Sequence, residues 1–474
     1  MERLTFNVGP TPGPAVVAGR GRPQPSRGPE PERPARSGRV ARVRERLSSD
    51  YIWMLAFTAL LFFRPQDQIP GLQLLHLAEL SAIAGLAAMA TRRLSSGQTI
   101  VKINAEVVGV MALGSVIVLT IPFSIWPGGS AHVFSDIYVK IILIFALMIG
   151  TLTTPKRLHQ MTWVMIAAST YVAARGVIDY LRGINLVEGD RLRGAVGGMF
   201  QNPNDLALNL VTFLAPTLFI VVHDRRPSRR ILAAGFAAVM LMAIVCTKSR
   251  SGFLGLLVMG LVVAYYTIRV RPGIIAAAVL AGIIALPALP SSFWDRMDSI
   301  VNAQEDQTGS RAARLRLISQ GLEVFAENPI TGIGAGQFQN YNDPGVMVEK
   351  WRVTHDVWLQ VGTELGIFGI LVFAFLVIRA FSACFVTLRL LGPPRRTRRA
   401  KGPPPETLEL SAVDREILDL NARSMLAAMV GWAVCSLFAS VAFNWTFYYV
   451  FALAVAGRDI ALSRRPAVEH APAP

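Results

Sequence analysis

Thr354-His355-Asp356-Val357-Trp358-Leu359-Gln360-Val361-Gly362-Thr363-Glu364-Leu365-Gly366-Ile367-Phe368-Gly369 stands at a boundary. Before it lies the longest polar interruption in the chain, from about Leu289, and after it the sequence stays apolar to about Leu388. An apolar run of more than about 20 residues is long enough to cross the hydrocarbon core of a bilayer. The stretch therefore sets a polar segment against a membrane surface, with His355 at the start of the helix. At about 100° per residue, His355, Leu359, Gly362, Gly366 and Gly369 fall on one line, a small-residue seam along which a second helix can approach. Upstream, Leu315, Ile318, Leu322 and Phe325 share one helical face, with Arg311 inside it and Arg314 on its flank, while Arg316 points the other way. This spacing holds two cations against whatever the stripe packs on. Asn328-Pro329-Ile330-Thr331-Gly332-Ile333-Gly334 closes the segment.

The same length argument applies to the whole chain of 474 residues, 52% hydrophobic and only 16% charged. Apolar runs near 51–64, 72–91, 104–123, 132–151, 158–181, 204–222, 230–247, 251–268, 272–289, 356–388, 424–443 and 445–462 predict an all-α polytopic membrane protein of about 12 transmembrane helices. The tight turns at Lys248 and Asn444 leave open whether the helices they join cross completely. A large external loop, 290–355, separates the ninth and tenth helices. Residues 1–49 form a disordered basic cytoplasmic tail without an apolar signal segment, 50–465 the membrane domain, 389–423 a basic cytoplasmic loop with a short amphipathic helix, and 466–474 a C-terminal tail.

A net charge of +16 suggests nucleic acid, but its distribution excludes that partner. Arg92, Arg93 and Lys102, then Lys156 and Arg157, then Arg225, Arg226, Arg229 and Arg230, and further clusters to Arg464 and Arg465 occupy every second connection. This is the positive-inside pattern, with both termini cytoplasmic. Cys246, Cys384 and Cys435 all fall in apolar runs and offer neither a disulfide framework nor a metal site. No Asp-x-Asp is present, and Asp295-x-x-Asp298 reads as a solvated loop, so neither a metal nor another cofactor is expected.

The external connections carry cations where membrane proteins usually avoid them. Arg182, Arg191 and Arg193 lie in the loop from Leu181 to Asn204, which ends in Phe200-Gln201-Asn202-Pro203-Asn204-Asp205. Pro203 suits a first helical position and Asn202 its cap, although Asn202 and Asn204 also suit glycan binding. Trp126-Pro127-Gly128-Gly129 reads as a plain turn. Thr247-Lys248-Ser249-Arg250-Ser251-Gly252 contains two cations and no acid, and Ser310–Gly321 contains Arg311, Arg314 and Arg316 with none. Singly, each is a cation snorkelling from a helix end. Gathered, guanidinium groups grip a phosphorylated lipid headgroup bidentately and stabilise a departing pyrophosphate without a metal. His76 and His132 also lie near the external face, but His355 directly follows the arginine-bearing segment. A neutral imidazole, with an unperturbed pKa of about 6.5, suits proton abstraction from a hydroxyl.

Together these segments resemble the O-antigen ligase and polymerase superfamily of bacterial envelope glycan enzymes. The likeness runs over residues 200–370, through Phe200–Asp205, Thr247–Gly252, Arg314 with Asn328–Gly334, and His355 followed by Gly366-Ile367-Phe368-Gly369. It implies transfer of a glycan from a polyprenyl-diphosphate carrier to an acceptor glycan, lipid or protein, at the outer face of a bacterial cytoplasmic membrane. His355 would be the base and Arg250 and Arg314 the pyrophosphate ligands, with Arg311, Arg191 and Arg193 as further candidates. Two positions depart from the family. Asp356 replaces the Asn that often follows the histidine, which would raise the pKa of His355 or orient its ring. The Trp often found four residues after the loop arginine is replaced by Ile318 after Arg314 or Leu315 after Arg311, and the spacing to Pro329 favours Arg314. Polymerase and protein O-oligosaccharyltransferase readings differ only in acceptor. A flippase would place its charges nearer the midplane, and a phosphosugar transferase would use Asp67.

Overall fold

Each of the expected apolar runs contains a helix, and many begin where the sequence supplies a cap or a first-turn proline. They are α1 (Ser49–Phe63), α2 (Leu77–Ser95), α3 (Ala105–Thr120), α4 (Pro127–Thr151, with a π-helical turn at Val133–Tyr138), α5 (Pro155–Leu181), α6 (Pro203–His223), α7 (Pro227–Thr247), α8 (Arg250–Thr267) and α9 (Pro272–Ala285). They continue with α10 (Ser310–Glu327), α11 (Val357–Leu391), α12 (Ala412–Ser436) and α13 (Trp445–Leu462). Side chains of Asn104, Thr154, Asn202, Ser249, Asp356, Ser411 and Asn444 accept first-turn N–H groups that no intrahelical carbonyl can reach. The computed structural model describes residues 48–65, 69, 71–187, 190–194, 200–285, 287, 291, 293–294, 310–341, 353–392 and 408–465, with Gly9 and Gly13. Asp67, Asp295 and Asp298 lie outside the described residues, as do most of the N-terminal segment and the side chain of Arg311.

The protein is all-α and polytopic. Among the described helices, eight (α3–α8, α11 and α12) are long and apolar enough to cross a membrane. α6 and α13 run through the centre, and α13 is buried along nearly its whole length. Its aromatic side chains interlock with neighbours, Phe447 lying 4.7 Å from Trp432 and 5.6 Å from Phe373, ring centre to ring centre. At one end of the bundle the fully buried Glu106 joins α3, α11 and α13, accepting from Arg379 Nε at 2.7 Å and Arg458 Nη2 at 2.9 Å. A buried carboxylate is tolerable only with such partners.

Three expectations are corrected. First, the amphipathic segment expected within 389–423 is the opening of α12, which starts at Ala412 and stops at Ser436. Leu437–Asn444 is therefore a non-helical connection, with the Ala442 amide donating to Gln360 Oε1 at 3.1 Å.

Second, most of the apolar stripe on α10 faces away from the protein: Leu315, Ile318 and Leu322 are 60%, 43% and 57% exposed, while the half-buried Phe325 lies beside Gly362 of α11. Leu317 and Val324 make the contact instead, in a small cluster with Ile333 and Phe338. Gly321, between them on that side, leaves room for Leu359 of α11.

Third, the glycine line on α11 is a helix–helix seam only at its start, where Leu359 and Gly362 meet Gly321 and Phe325 of α10; at Gly366 it is not. His355 precedes the helix, in a left-handed conformation with φ 53°, and Gly366 breaks the helix with φ 66° and ψ −162°. Only glycine tolerates that second conformation readily. The break receives a loop: Ile367 N donates to Pro329 O at 2.8 Å, Ile333 N to Thr363 O at 2.9 Å and Gly334 N to Glu364 O at 2.9 Å. Residues 329–336 are glycine-rich because backbone lies directly on backbone, and a Cβ on Gly332 would collide with the Glu364–Leu365 peptide. The presumed plain turn after α3 takes part as well. Ile125 N donates to Ile333 O at 3.1 Å and Ser130 Oγ to Ala335 O at 3.2 Å.

Candidate functional site

The segments singled out in the sequence gather at one end of the bundle, around the connection that follows α12. His355 is half-buried, and its backbone N–H donates to Ser440 Oγ at 3.0 Å. Thr354 Oγ and Ser440 Oγ lie 2.8 Å apart. Two residues before Ser440, the ring of Phe438 lies 5.9 Å beneath the guanidinium carbon of Arg314, within cation–π range. Arg250 opens α8, and the carbonyl of the next residue, Ser251, accepts from Cys435 Sγ at 3.4 Å. Cys435, Phe438 and Ser440 thus bring the neighbourhoods of Arg250, Arg314 and His355 to one short stretch of chain.

A second network fixes the loop before α6. Antiparallel pairs Leu186–Leu192 and Val187–Arg191 present Arg191 inward, where it is 7% exposed. Arg191 Nη2 donates to Asn204 Oδ1 at 3.0 Å and Nε to Thr247 O at 3.3 Å. Ser249 Oγ donates to the same Asn204 oxygen at 2.7 Å, and Lys248 pairs with Asp190. The segments ending in Asn204 and in Gly252, separate in sequence, form one unit. Asn202 is the α6 cap, accepting from Asn204 N at 2.9 Å, whereas Arg193 is exposed. Lys248 and His355 both hold left-handed backbones, which cost a non-glycine residue about 1–2 kcal/mol. Such strain is concentrated at functional sites.

Asp356 has a defined role in the backbone: its Oδ1 accepts from Trp358 N and Leu359 N, both at 2.8 Å. Burial pushes its carboxyl above the ordinary range, against the opposing pull of those two N–H groups.

Beside this cluster lies a cavity of about 970 Å³, enclosed by α1, α2, α4, the first turn of α6, Gly336–Gln339, α11 and Ser440–Trp445. Ser440, which holds the His355 backbone, forms part of its wall, as do Gln360 and Glu364 of α11. His355, Arg250 and Arg314 are not among the described lining residues, so the cavity and the cationic cluster meet at Ser440 without coinciding. Phe438, Ser440, Gln360 and Glu364 were not singled out in the sequence, where isolated polar residues of apolar runs carry no pattern. Among the described residues, no group of three or more His, Cys, Asp or Glu is placed to hold a metal.

These features define a multi-pass helical membrane protein with a cationic, histidine-bearing cluster and an adjoining cavity at one end of its bundle. Residues 208–374 match the family model described as O-antigen ligase, so this part of the chain is similar to that family. The match runs from α6 into α11 and includes Lys248–Ser251, Arg314, the docking loop and His355. Arg191, Asn202, Asn204 and the Phe438–Ser440 connection fall outside it. No curated protein matches the chain.

Proposed function

We propose that this protein is a metal-independent, inverting glycan transferase that uses a polyprenyl-diphosphate-linked donor at the outer face of the bacterial cytoplasmic membrane. The supporting observation is the approach of the Arg250, Arg314 and His355 segments to the Cys435–Ser440 stretch. His355 takes the proton of the acceptor hydroxyl as that oxygen bonds to the anomeric carbon. The bond from that carbon to the diphosphate oxygen breaks, and its electron pair leaves with the diphosphate. Arg250 and Arg314 hold the growing charge, with Arg311, Arg191 and Arg193 as further cations around the lipid headgroup. Ligase, polymerase and protein O-oligosaccharyltransferase share this chemistry and differ in the acceptor.

Transfer from purified lipid-linked glycan in liposomes tests the base. General-base assistance contributes about 10²–10⁴ in rate, so His355→Ala loses that much while donor binding persists. His76→Ala and His132→Ala stay active. Wild-type transfer by His355→Ala would remove the assignment.

A further inference from the structure

The charge on the cavity wall differs from that of the cationic cluster. Its described lining carries four carboxyl groups, Glu79, Asp136, Asp205 and Glu364, against Arg64 and Lys140. Lys140 is engaged with Asp136 at 2.8 Å and Glu79 at 3.1 Å. Asp205 at the start of α6 and Glu364 in α11, which also line the cavity, have no ion-pair partner among the described residues. Glu364 is 4% exposed, and its Oε2 accepts from Gly336 N at 2.8 Å. Gln360 and the Phe338 amide also donate to it, and a carboxyl group keeps further hydrogen-bonding capacity for a ligand hydroxyl. Asp205 is half-buried and has no side-chain hydrogen bond among the described residues. A diphosphate would meet a carboxyl-rich lining here and finds its guanidinium partners in the cluster beyond Ser440. Hydroxyl groups would find acceptors there, and Phe57, Phe443 and Trp445 supply apolar surface for the carbon face of a sugar ring. The volume falls within the about 300–1,000 Å³ of small-ligand sites.

We infer that this cavity is a sugar subsite, in which Asp205 and Glu364 accept hydrogen bonds from the hydroxyl groups of a neutral glycan unit while the diphosphate stays with the arginines beyond Ser440. The inference rests on the proposed transferase reading and gives its glycan a place. The sugar belongs to the donor or to the acceptor, and the chemistry of the wall is the same for both.

The test is equilibrium binding to the full-length protein in nanodiscs, in a His355→Ala background, so that the outcome does not depend on the identity of the base. Three probes are used: a polyprenyl-diphosphate-linked disaccharide, bare polyprenyl diphosphate and the free disaccharide. Asp205→Asn and Glu364→Gln each weaken the sugar-bearing lipid about tenfold, the scale of one hydrogen bond to a buried carboxyl group, and leave the bare diphosphate unchanged. Ala82→Phe narrows the cavity from α2, touches neither carboxyl, and produces the same selective loss. Weakening confined to the free disaccharide supports the subsite and assigns it to the acceptor. Equal loss of both lipids, or no loss of any probe, overturns the inference, even if the transferase reading stands.

Discussion

Replacing Gly366 by alanine tests the docked break in α11. At φ 66° and ψ −162° the backbone lies where L-residues are strained by about 1–3 kcal/mol. The added Cβ would also press on the Ile330 carbonyl and lie 2.9 Å from Pro329 O. Relief requires the loop to withdraw, which endangers the bonds Ile367 N–Pro329 O, Ile333 N–Thr363 O and Gly334 N–Glu364 O. At about 0.5–1.5 kcal/mol each, partial loss of these brings the total cost to about 3–5 kcal/mol. Gly235→Ala in α7 is the control, because a Cβ there meets nothing within 4 Å and alanine favours a helix by up to about 1 kcal/mol. Thermal unfolding in detergent, with limited proteolysis across 328–341, reads both. The Gly366 variant melts earlier and is cut in the loop, while the Gly235 variant matches or exceeds wild type. A Gly366 variant with an unchanged melting temperature and an uncut loop would show that docking does not depend on the break.

Arg250→Lys and Arg314→Lys each lose most transfer activity at normal protein levels, since an ammonium cannot reproduce the guanidinium fork; near-normal turnover in both would return these residues to helix-end snorkelling. Asp356→Asn retains the cap and costs a few tenths of a kcal/mol, whereas Asp356→Ala costs about 1 kcal/mol in thermal unfolding. A large loss of transfer in the Asn variant at intact stability would give the charge of Asp356 a role beyond capping.

Much of the fold was legible because hydrocarbon imposes a length and helix ends impose caps. Pro203 after Asn202 marks a helix start that the structure reproduces. What escaped reading depends on partners distant in sequence. A glycine every three or four residues is the same pattern whether another helix approaches or a loop docks into a break, and only the Pro329–Gly336 backbone decides at Gly366. The stripe of Leu315, Ile318 and Leu322 has the right period, but periodicity does not say whether an apolar face meets protein. Ser440 is one serine in an apolar run, and its importance lies in Thr354 and the His355 backbone, 85 residues away for the latter.

The break at Gly366 also bears on the order of assembly. It releases the Thr363 and Glu364 carbonyls and the Ile367 amide from the ladder of α11, and their partners belong to a loop outside that helix. Left unmet in hydrocarbon, each such group costs several kcal/mol. The loop leaves the ribosome before α11 does, so its segment is available when the helix arrives. α11 therefore cannot enter the bilayer as a finished rod that later finds neighbours. Its bend and the folding of the preceding loop are a single event, and a delay in delivering the loop delays the helix with it.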